Sequence, residues 1–300
     1  MRILVSGGTG FVGRFIVERL VRTGHDVAVL GRTPPPPGFF SRPIHFVPGT
    51  LDPDSSFDAA FEQIYFFVHA AFDHVAGRYR GGEGVDPLGF WRRNHEGSLA
   101  LFEAARMAGV SRVVFLSSRA VYGEGTAGRS LQEDTPCRPE TLYGKVKLAT
   151  EEALSAMASP AFATVSLRAT GVYGSAGAGR RHKWSELFED YLAGKAIAPR
   201  VGTEVHGDDV AAAVELMLAA RVEVVSGAVF NISDIVVDRH DILEIVWLAT
   251  GSTLSLPERA STSALGIMAT DRLQAFGWRP GGWPLLRETV EALAREHFQR

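Results

Sequence analysis

The chain has 300 residues, 46% hydrophobic and 22% charged, with a formal net charge of −3 at pH 7. That length buries a core without staples, as one large α/β domain or two closely joined ones, and the lack of a basic excess argues against nucleic acid as a main partner. The single cysteine, Cys137, excludes an intrachain disulfide framework and an all-cysteine metal site, and no apolar run reaches transmembrane length, so the expectation is a cytoplasmic chain with no metal and no membrane partner.

Arg2 to Ser6 is an apolar run of strand type that leads into Gly7-Gly8-Thr9-Gly10-Phe11-Val12-Gly13, after which Phe11, Val12, Phe15, Ile16, Leu20 and Val21 recur at helical spacing. Strand, glycine turn and helix predict a dinucleotide site. Gly7 permits the sharp turn, Gly10 keeps a side chain away from a phosphate, and Gly13 lets the helix pack close to the strand. The free N–H groups at the helix start, around Phe11 and Val12, then face an anion. Asp26 to Leu30 reads as the second strand and ends in Leu30-Gly31-Arg32-Thr33. A carboxylate there would accept from the adenosine ribose 2′-hydroxyl. Its absence, with Arg32 able to meet a 2′-phosphate, favours NADP over NAD, against the plainer reading of Arg32 as a solvated loop charge. Pro34 to Gly38 is a stiff connector.

Ile44 to Pro48 reads as a third strand and the apolar run Ile64 to Ala71 as a fourth, with Ala70 and Ala71 leaving room for a cofactor above the sheet edge. His69 reads as a packed, hydrogen-bonded core residue rather than a catalytic one. Residues 73–90 form a glycine-rich polar loop, either an active-site flap or a surface insertion. Trp91 to Ala108 is a helix carrying Asn94, and Arg112 to Ser118 is a fifth strand ending in the hydroxyls of Ser117 and Ser118. A further helix opens at Tyr143-Gly144-Lys145-Val146-Lys147. The four-residue spacing puts Tyr143 and Lys147 on one helix face. An ammonium beside a phenol lowers its pKa from about 10 towards values useful for proton exchange with an alcohol or ketone, and Ser118 is placed to hold the same substrate oxygen.

With these residues in order, the sequence resembles the extended short-chain dehydrogenase/reductase superfamily, also called the NAD-dependent epimerase/dehydratase family, over essentially its whole length. Gly7 to Gly13 matches the family's glycine motif, Tyr143 with Lys147 its Tyr-x-x-x-Lys, Ser118 its catalytic Ser/Thr, and Asn94 its helix asparagine. The segments Leu167 to Gly174 and Val205 to Val210 look like those entering and leaving the family's substrate region. The resemblance implies a tyrosine acid/base, a lysine that also holds the nicotinamide ribose, hydride transfer at a carbon bearing oxygen, and homodimers packed through the helices of Asn94 and Tyr143. Asn94, Ser117, Tyr143 and Lys147 are assigned cofactor contacts on this basis.

Departures narrow the substrate. Arg119 and Ala120 stand where sugar dehydratases carry Asp-Glu, so a 4,6-dehydratase is not expected. An asparagine near the diphosphate of sugar-nucleotide epimerases would fall at Gly171, a phosphate-binding arginine near Gly202, and an adenine-contacting aspartate at Thr50. Arg200, or the cluster Arg180-Arg181-His182-Lys183, offers substitute charge for a substrate phosphate or carboxylate; the cluster reads equally as a solvated helix start. Asp208 and Asp209 are expected to cap a helix from Val210. Val229 to Ile232 reads as a late strand, with helices at Arg239 to Thr250 and Leu285 to Phe298.

The expected architecture is α/β: a doubly wound, mostly parallel Rossmann sheet, with residues 1–170 binding the dinucleotide and residues 171–300 forming a small C-terminal substrate lobe interleaved with late Rossmann elements. The expected function is an NAD(P)-dependent oxidoreductase or epimerase acting on a hydroxyl or keto carbon of a sugar-like substrate, with nucleotide sugars among the candidates. The alternative from another class is a non-catalytic NAD(P)-binding redox sensor.

Overall fold

The computed structural model describes residues 1–75, 81–124, 128–177 and 179–298. In chain order the elements are β1 (Arg2–Ser6), α1 (Phe11–Arg22), β2 (Asp26–Gly31), β3 (His45–Pro48), β4 (Phe66–His69), α2 (Pro87–Trp91), a π turn (Arg92–Glu96), α3 (Gly97–Met107), β5 (Arg112–Ser118), β6 (Ser130–Leu131) and α4 (Leu142–Ala156). They continue as β7 (Ala163–Ala169), β8 (Gly171–Tyr173), α5 (Ser185–Leu192), β9 (Val201–His206), α6 (Gly207–Ala219), α7 (Val222–Val225), β10 (Ala228–Ile232), β11 (Ile235–Asp238), α8 (Arg239–Thr250), β12 (Ile267–Met268), α9 (Asp271–Ala275) and α10 (Gly282–Phe298).

Seven strands form the central sheet in the order β10-β7-β5-β4-β1-β2-β3, and every pairing in it is parallel. Strands of this kind are covered on both faces and are therefore apolar throughout. Ile3, Val5, Val29, Val68, Val114 and Leu167 pack towards α1 and α6, while Leu4, Phe67, Val113 and Phe115 pack towards α3. Each such side chain contributes about 1.5–3 kcal/mol by leaving water. The strand order reverses between β1 and β4. In open α/β sheets the crevice at such a reversal, beyond the carboxyl ends of the strands, is where ligands bind.

A three-stranded sheet, β11-β9-β8, lies in the later part of the chain, where Tyr173, Trp184, Phe188, Val237, Leu243, Val246 and Leu286 form their own core. β10, from this part of the sequence, is the edge strand of the central sheet. Among the described residues no helix is long and apolar enough to cross a membrane.

The elements differ from the expected ones in particular ways. β4 stops at His69, because the backbones of Ala70 and Ala71 leave the sheet and come against Gly7. The helix around Asn94 contains the π turn and starts earlier, at Pro87, where the Asp86 side chain accepts from Gly89 N at 2.8 Å. α6 starts before Val210. His206 caps it, its Nδ1 accepting from Asp208 N, and Asp208 and Asp209 occupy the first turn instead of the cap.

Candidate active site

The glycine turn joins β1 to α1 at the strand reversal. Gly7 has φ of 71°, and an added Cβ would lie 2.6 Å from the Ala71 backbone. Gly13 is tighter still: its Cβ would stand 2.1 Å from the Gly7 carbonyl oxygen, so the helix approaches the strand as closely as glycine allows. Gly10 precedes α1 and provides no side-chain cap, which leaves the first-turn N–H groups of Phe11, Val12 and Gly13 without intrahelical partners. Ala70 N donates to Ser6 O and Ala71 N to Ser6 Oγ, fixing the opposite wall of the crevice. His69, fully buried, bridges Ser6 Oγ at 2.6 Å and Ser98 Oγ at 2.8 Å and stacks on Phe115. Burial, then the Lys147 charge, pushes its pKa down to about 3, so it is neutral across the physiological range. It clamps β1 and β4 to α3.

The Tyr143 helix is positioned by its cap. Thr141 Oγ1 accepts from Gly144 N at 3.1 Å, and a Cβ on Gly144 would lie 2.6 Å from Ala120 O, so the start of α4 rests against the turn that follows Ser118. The Ser118 side chain accepts from Ala120 N at 3.2 Å. One turn into α4, Lys147 is buried and its Nζ donates to Leu116 O at 2.7 Å. Its ammonium lies 4.6 Å from the ring centres of both Phe72 and Phe115 and 6.0 Å from that of Tyr143. Tyr143 is half-buried with its ring edge-on to Phe72 at 5.0 Å. Ser118, Tyr143 and Lys147 are thus brought together at the carboxyl end of β5.

Burial lowers the Lys147 pKa from 10.5 to about 7, opposed by the Glu151 charge one turn further along α4. Glu151 is in turn held by Arg168 at 2.8 Å, both side chains almost wholly out of solvent. Phe72 and Phe115 are parts of the site that spacing along the chain does not reveal. Phe72 directly follows Ala70-Ala71, and an aromatic at that place is the available signal.

Asn94 lies buried in the π turn. Its Oδ1 accepts from Asp73 N at 2.6 Å, and its Nδ2 donates to Asp73 O and Phe90 O. It therefore ties the loop after β4 to the helix. Residues 76–80 of the glycine-rich 73–90 loop lie outside the described residues. The Arg32 guanidinium, highly exposed, pairs with Asp73 at 3.4 Å, and Arg93 grips the same carboxylate at 2.6 Å. Arg180 reaches the other way, donating to Thr9 O at 3.2 Å and lying over Phe39. Arg181 pairs with Glu189, and Arg200 is exposed just before β9, its carbonyl accepting from Arg239 N.

The residues present fit a dinucleotide. The uncapped start of α1 offers N–H groups to a diphosphate, and Ser117 Oγ, buried at the end of β5, has no hydrogen-bond partner among the described residues.

Residues 3–233 match the model of the NAD dependent epimerase/dehydratase family. The chain belongs to this family. It is 28% identical to the UDP-glucose 4-epimerase of Corynebacterium glutamicum over an alignment of 312 positions, gaps included, covering 93% of this chain and 91% of the relative. Among solved structures it is similar to the UDP-glucose 4-epimerase of Thermus thermophilus in complex with NAD, at 28% identity and a TM-score of 0.80 over 100% of this chain and 99% of that one. MoeE5 in complex with UDP-glucose and NAD matches at 25% identity and a TM-score of 0.80, over 99% of this chain and 100% of that one. The chain is thus an NAD-dependent enzyme of the extended short-chain dehydrogenase type. The preference for NADP drawn from Arg32 is corrected by these relatives, whose structures contain NAD. The physical reason is Asp73: its carboxylate pairs with the Arg32 guanidinium at 3.4 Å, so that charge is already partnered and does not by itself mark a 2′-phosphate site.

Proposed function

We propose that the protein catalyses NAD-dependent epimerisation of a sugar derivative by oxidising and re-reducing one hydroxyl carbon, with Tyr143, Lys147 and Ser118 as the reacting group's partners. The observation that carries this reading is the buried Lys147 ammonium held near the Tyr143 ring and beside the end of the strand that ends at Ser118. NAD, when bound, supplies the hydride acceptor and donor. Ser118 orients the substrate hydroxyl by a hydrogen bond. Tyr143 takes the hydroxyl proton as the carbonyl forms and returns it on reduction. Lys147 stabilises the phenolate during that exchange and, with Ser117 and Asn94, lines the side of the crevice that holds the nicotinamide ribose. The first-turn N–H groups at Phe11, Val12 and Gly13 receive the cofactor diphosphate, with Gly7 and Gly10 giving it room and Ala70 and Ala71 forming the facing wall.

Nucleotide sugars of the kind named for the relatives are the proposed substrate class, and Arg180, Arg181 and Arg200 remain candidate substrate contacts on the later part of the chain. A homodimer packed through α3 and α4, in the cytoplasm, belongs to the same reading and is checked by sedimentation. The function is tested by incubating NAD-loaded protein with UDP-glucose and UDP-galactose and following both sugar composition and absorbance of the reduced nicotinamide. Interconversion without net NADH is expected. Stoichiometric NADH would replace epimerisation with net oxidation, and no change with any sugar derivative would exclude the reading.

A further inference from the structure

The Lys147 ammonium is held by aromatic faces as well as by its hydrogen bond to Leu116 O at 2.7 Å. Its Nζ lies 4.6 Å from the ring centres of both Phe72 and Phe115. Phe115 is a buried residue of β5, in register with His69 of β4, and its place is set by the sheet. Phe72 lies beyond the end of β4 and is half-buried. It reaches the lysine because its backbone is pinned on both sides. Ahead of it, Ala70 N donates to Ser6 O and Ala71 N to Ser6 Oγ; behind it, Asn94 Oδ1 accepts from Asp73 N at 2.6 Å and Asn94 Nδ2 donates to Asp73 O at 2.8 Å. Phe90 of α2 packs against the same ring at 5.4 Å, the two planes 76° apart. The ring so fixed touches both members of the catalytic pair, since its centre is also 5.0 Å from that of Tyr143, with the planes 81° apart. Lys147 and Tyr143 themselves stand further apart, 6.0 Å from Nζ to ring centre.

We propose that Phe72 is a positioning residue for the reaction: its one ring holds the Lys147 ammonium and packs against the Tyr143 phenol, so that the lysine stays charged and stays beside the group it serves. The proposal deepens the hydride-transfer reading above and rests on it for its effect on turnover. An aromatic face attracts a cation and does nothing for a neutral amine. Burial works the other way, pulling the Lys147 pKa down to about 7 against the Glu151 charge, and the ring faces keep the ammonium populated where an aliphatic wall of the same size would not. The other charged or titratable neighbours are accounted for: Glu151 of α4 is paired with Arg168 of β7 at 2.8 Å, and His69 of β4, pushed down to about 3 by burial and then the Lys147 charge, is neutral. A neutral lysine cannot stabilise a phenolate. Loss of the Phe72 face therefore slows proton exchange most at the pH where the lysine is already giving up its proton.

The chain has four lysines, Lys145, Lys147, Lys183 and Lys195, few enough for each Cε signal of isotopically labelled lysine to be followed by NMR through a pH titration of the whole chain without added cofactor, with Lys147→Met assigning the signal of interest. Phe72→Leu keeps an apolar side chain of similar size but no aromatic face, and should lower the Lys147 midpoint by about one pH unit, a roughly tenfold weaker hold on the proton. Phe72→Tyr keeps the face and should stay within about a third of a unit of the native protein. Fluorinated phenylalanines at position 72, with one, two and three fluorines, drain the ring face with little change of shape and should lower the midpoint step by step; this series decides if Phe72→Leu does not fold. In turnover of the NAD-loaded protein with UDP-glucose, Phe72→Leu should lose about tenfold in kcat at pH 8 but about twofold or less at pH 6, because above both midpoints the charged fraction follows the proton affinity. A midpoint that stays put or rises in Phe72→Leu and the fluorinated series would overturn the proposal, as would a loss of kcat equal at the two pH values, the mark of a purely structural ring. The midpoint is read without turnover, so a protein that shows the shift but epimerises no sugar would sink the hydride-transfer reading and leave the hold of Phe72 on Lys147 standing.

Discussion

Lys147 is expected to cost the protein stability, and replacing it with methionine measures that cost. The lysine pKa falls from 10.5 to about 7 on folding, first through burial. Each tenfold step in a proton equilibrium is worth about 1.4 kcal/mol, so holding this lysine in the folded protein at pH 7 costs about 4 kcal/mol. The sign follows from proton binding. Between pH 7 and 10.5 the unfolded chain carries more protons on this lysine than the folded one, so its cost is fully present below pH 7 and falls as pH rises, to about 2 kcal/mol at pH 9. Methionine fills similar volume without a charge but loses the Leu116 carbonyl contact, about 1 kcal/mol; the faces of Phe72 and Phe115 favour only the ammonium and so already lie inside that cost. Urea unfolding of the cofactor-free protein should therefore show Lys147→Met more stable by about 3 kcal/mol at pH 7, with about 2 kcal/mol of that difference removed by pH 9. Turnover should be lost in the same variant. A variant less stable at pH 7, by an amount that does not change with pH, would refute the reasoning.

Other outcomes follow from the same geometry. Gly13→Ala forces a Cβ to 2.1 Å from Gly7 O and should lower the melting temperature steeply, whereas Gly10→Ala, whose Cβ meets that oxygen at 3.1 Å, should fold and lose NAD affinity in a fluorescence titration. His69 stays neutral in the folded protein down to about pH 3, while the unfolded chain protonates below 6.5. Stability contributed by His69 is thus present above pH 6.5 and should fall by about 2 kcal/mol between pH 6.5 and 5, a slope that His69→Gln removes in urea melts. Arg168→Met leaves the buried Glu151 carboxylate unpaired and should destabilise by about 3–5 kcal/mol in the same assay.

What the sequence carries plainly is local. The glycine turn, the hydroxyls closing β5 and the Tyr143–Lys147 spacing each lie within one element, and short-range patterning places them. The environment that gives Lys147 its altered chemistry does not: Phe72 and Phe115 come from β4's exit and from β5, distant in sequence and joined only by the sheet order. Arg32 misleads for the same reason. Its partner Asp73 lies 41 residues away, beyond β3 and β4, and without that carboxylate the arginine looks like a phosphate ligand. The apolar run through Ala71 gives no sign that the chain leaves the sheet after His69, since the departure is imposed by contact with Gly7. Likewise, Lys183 is 21 residues from Glu204, and its pairing becomes visible only once β8 and β9 lie side by side.

The central claim is that the Tyr143 hydroxyl moves the proton while the rest of the crevice binds NAD without it. Single-turnover kinetics on Tyr143→Phe, together with its NAD dissociation constant, test this most directly. The account predicts a loss of at least about a thousandfold in the chemical step, with NAD affinity within threefold of the native protein. Turnover retained within tenfold would contradict it.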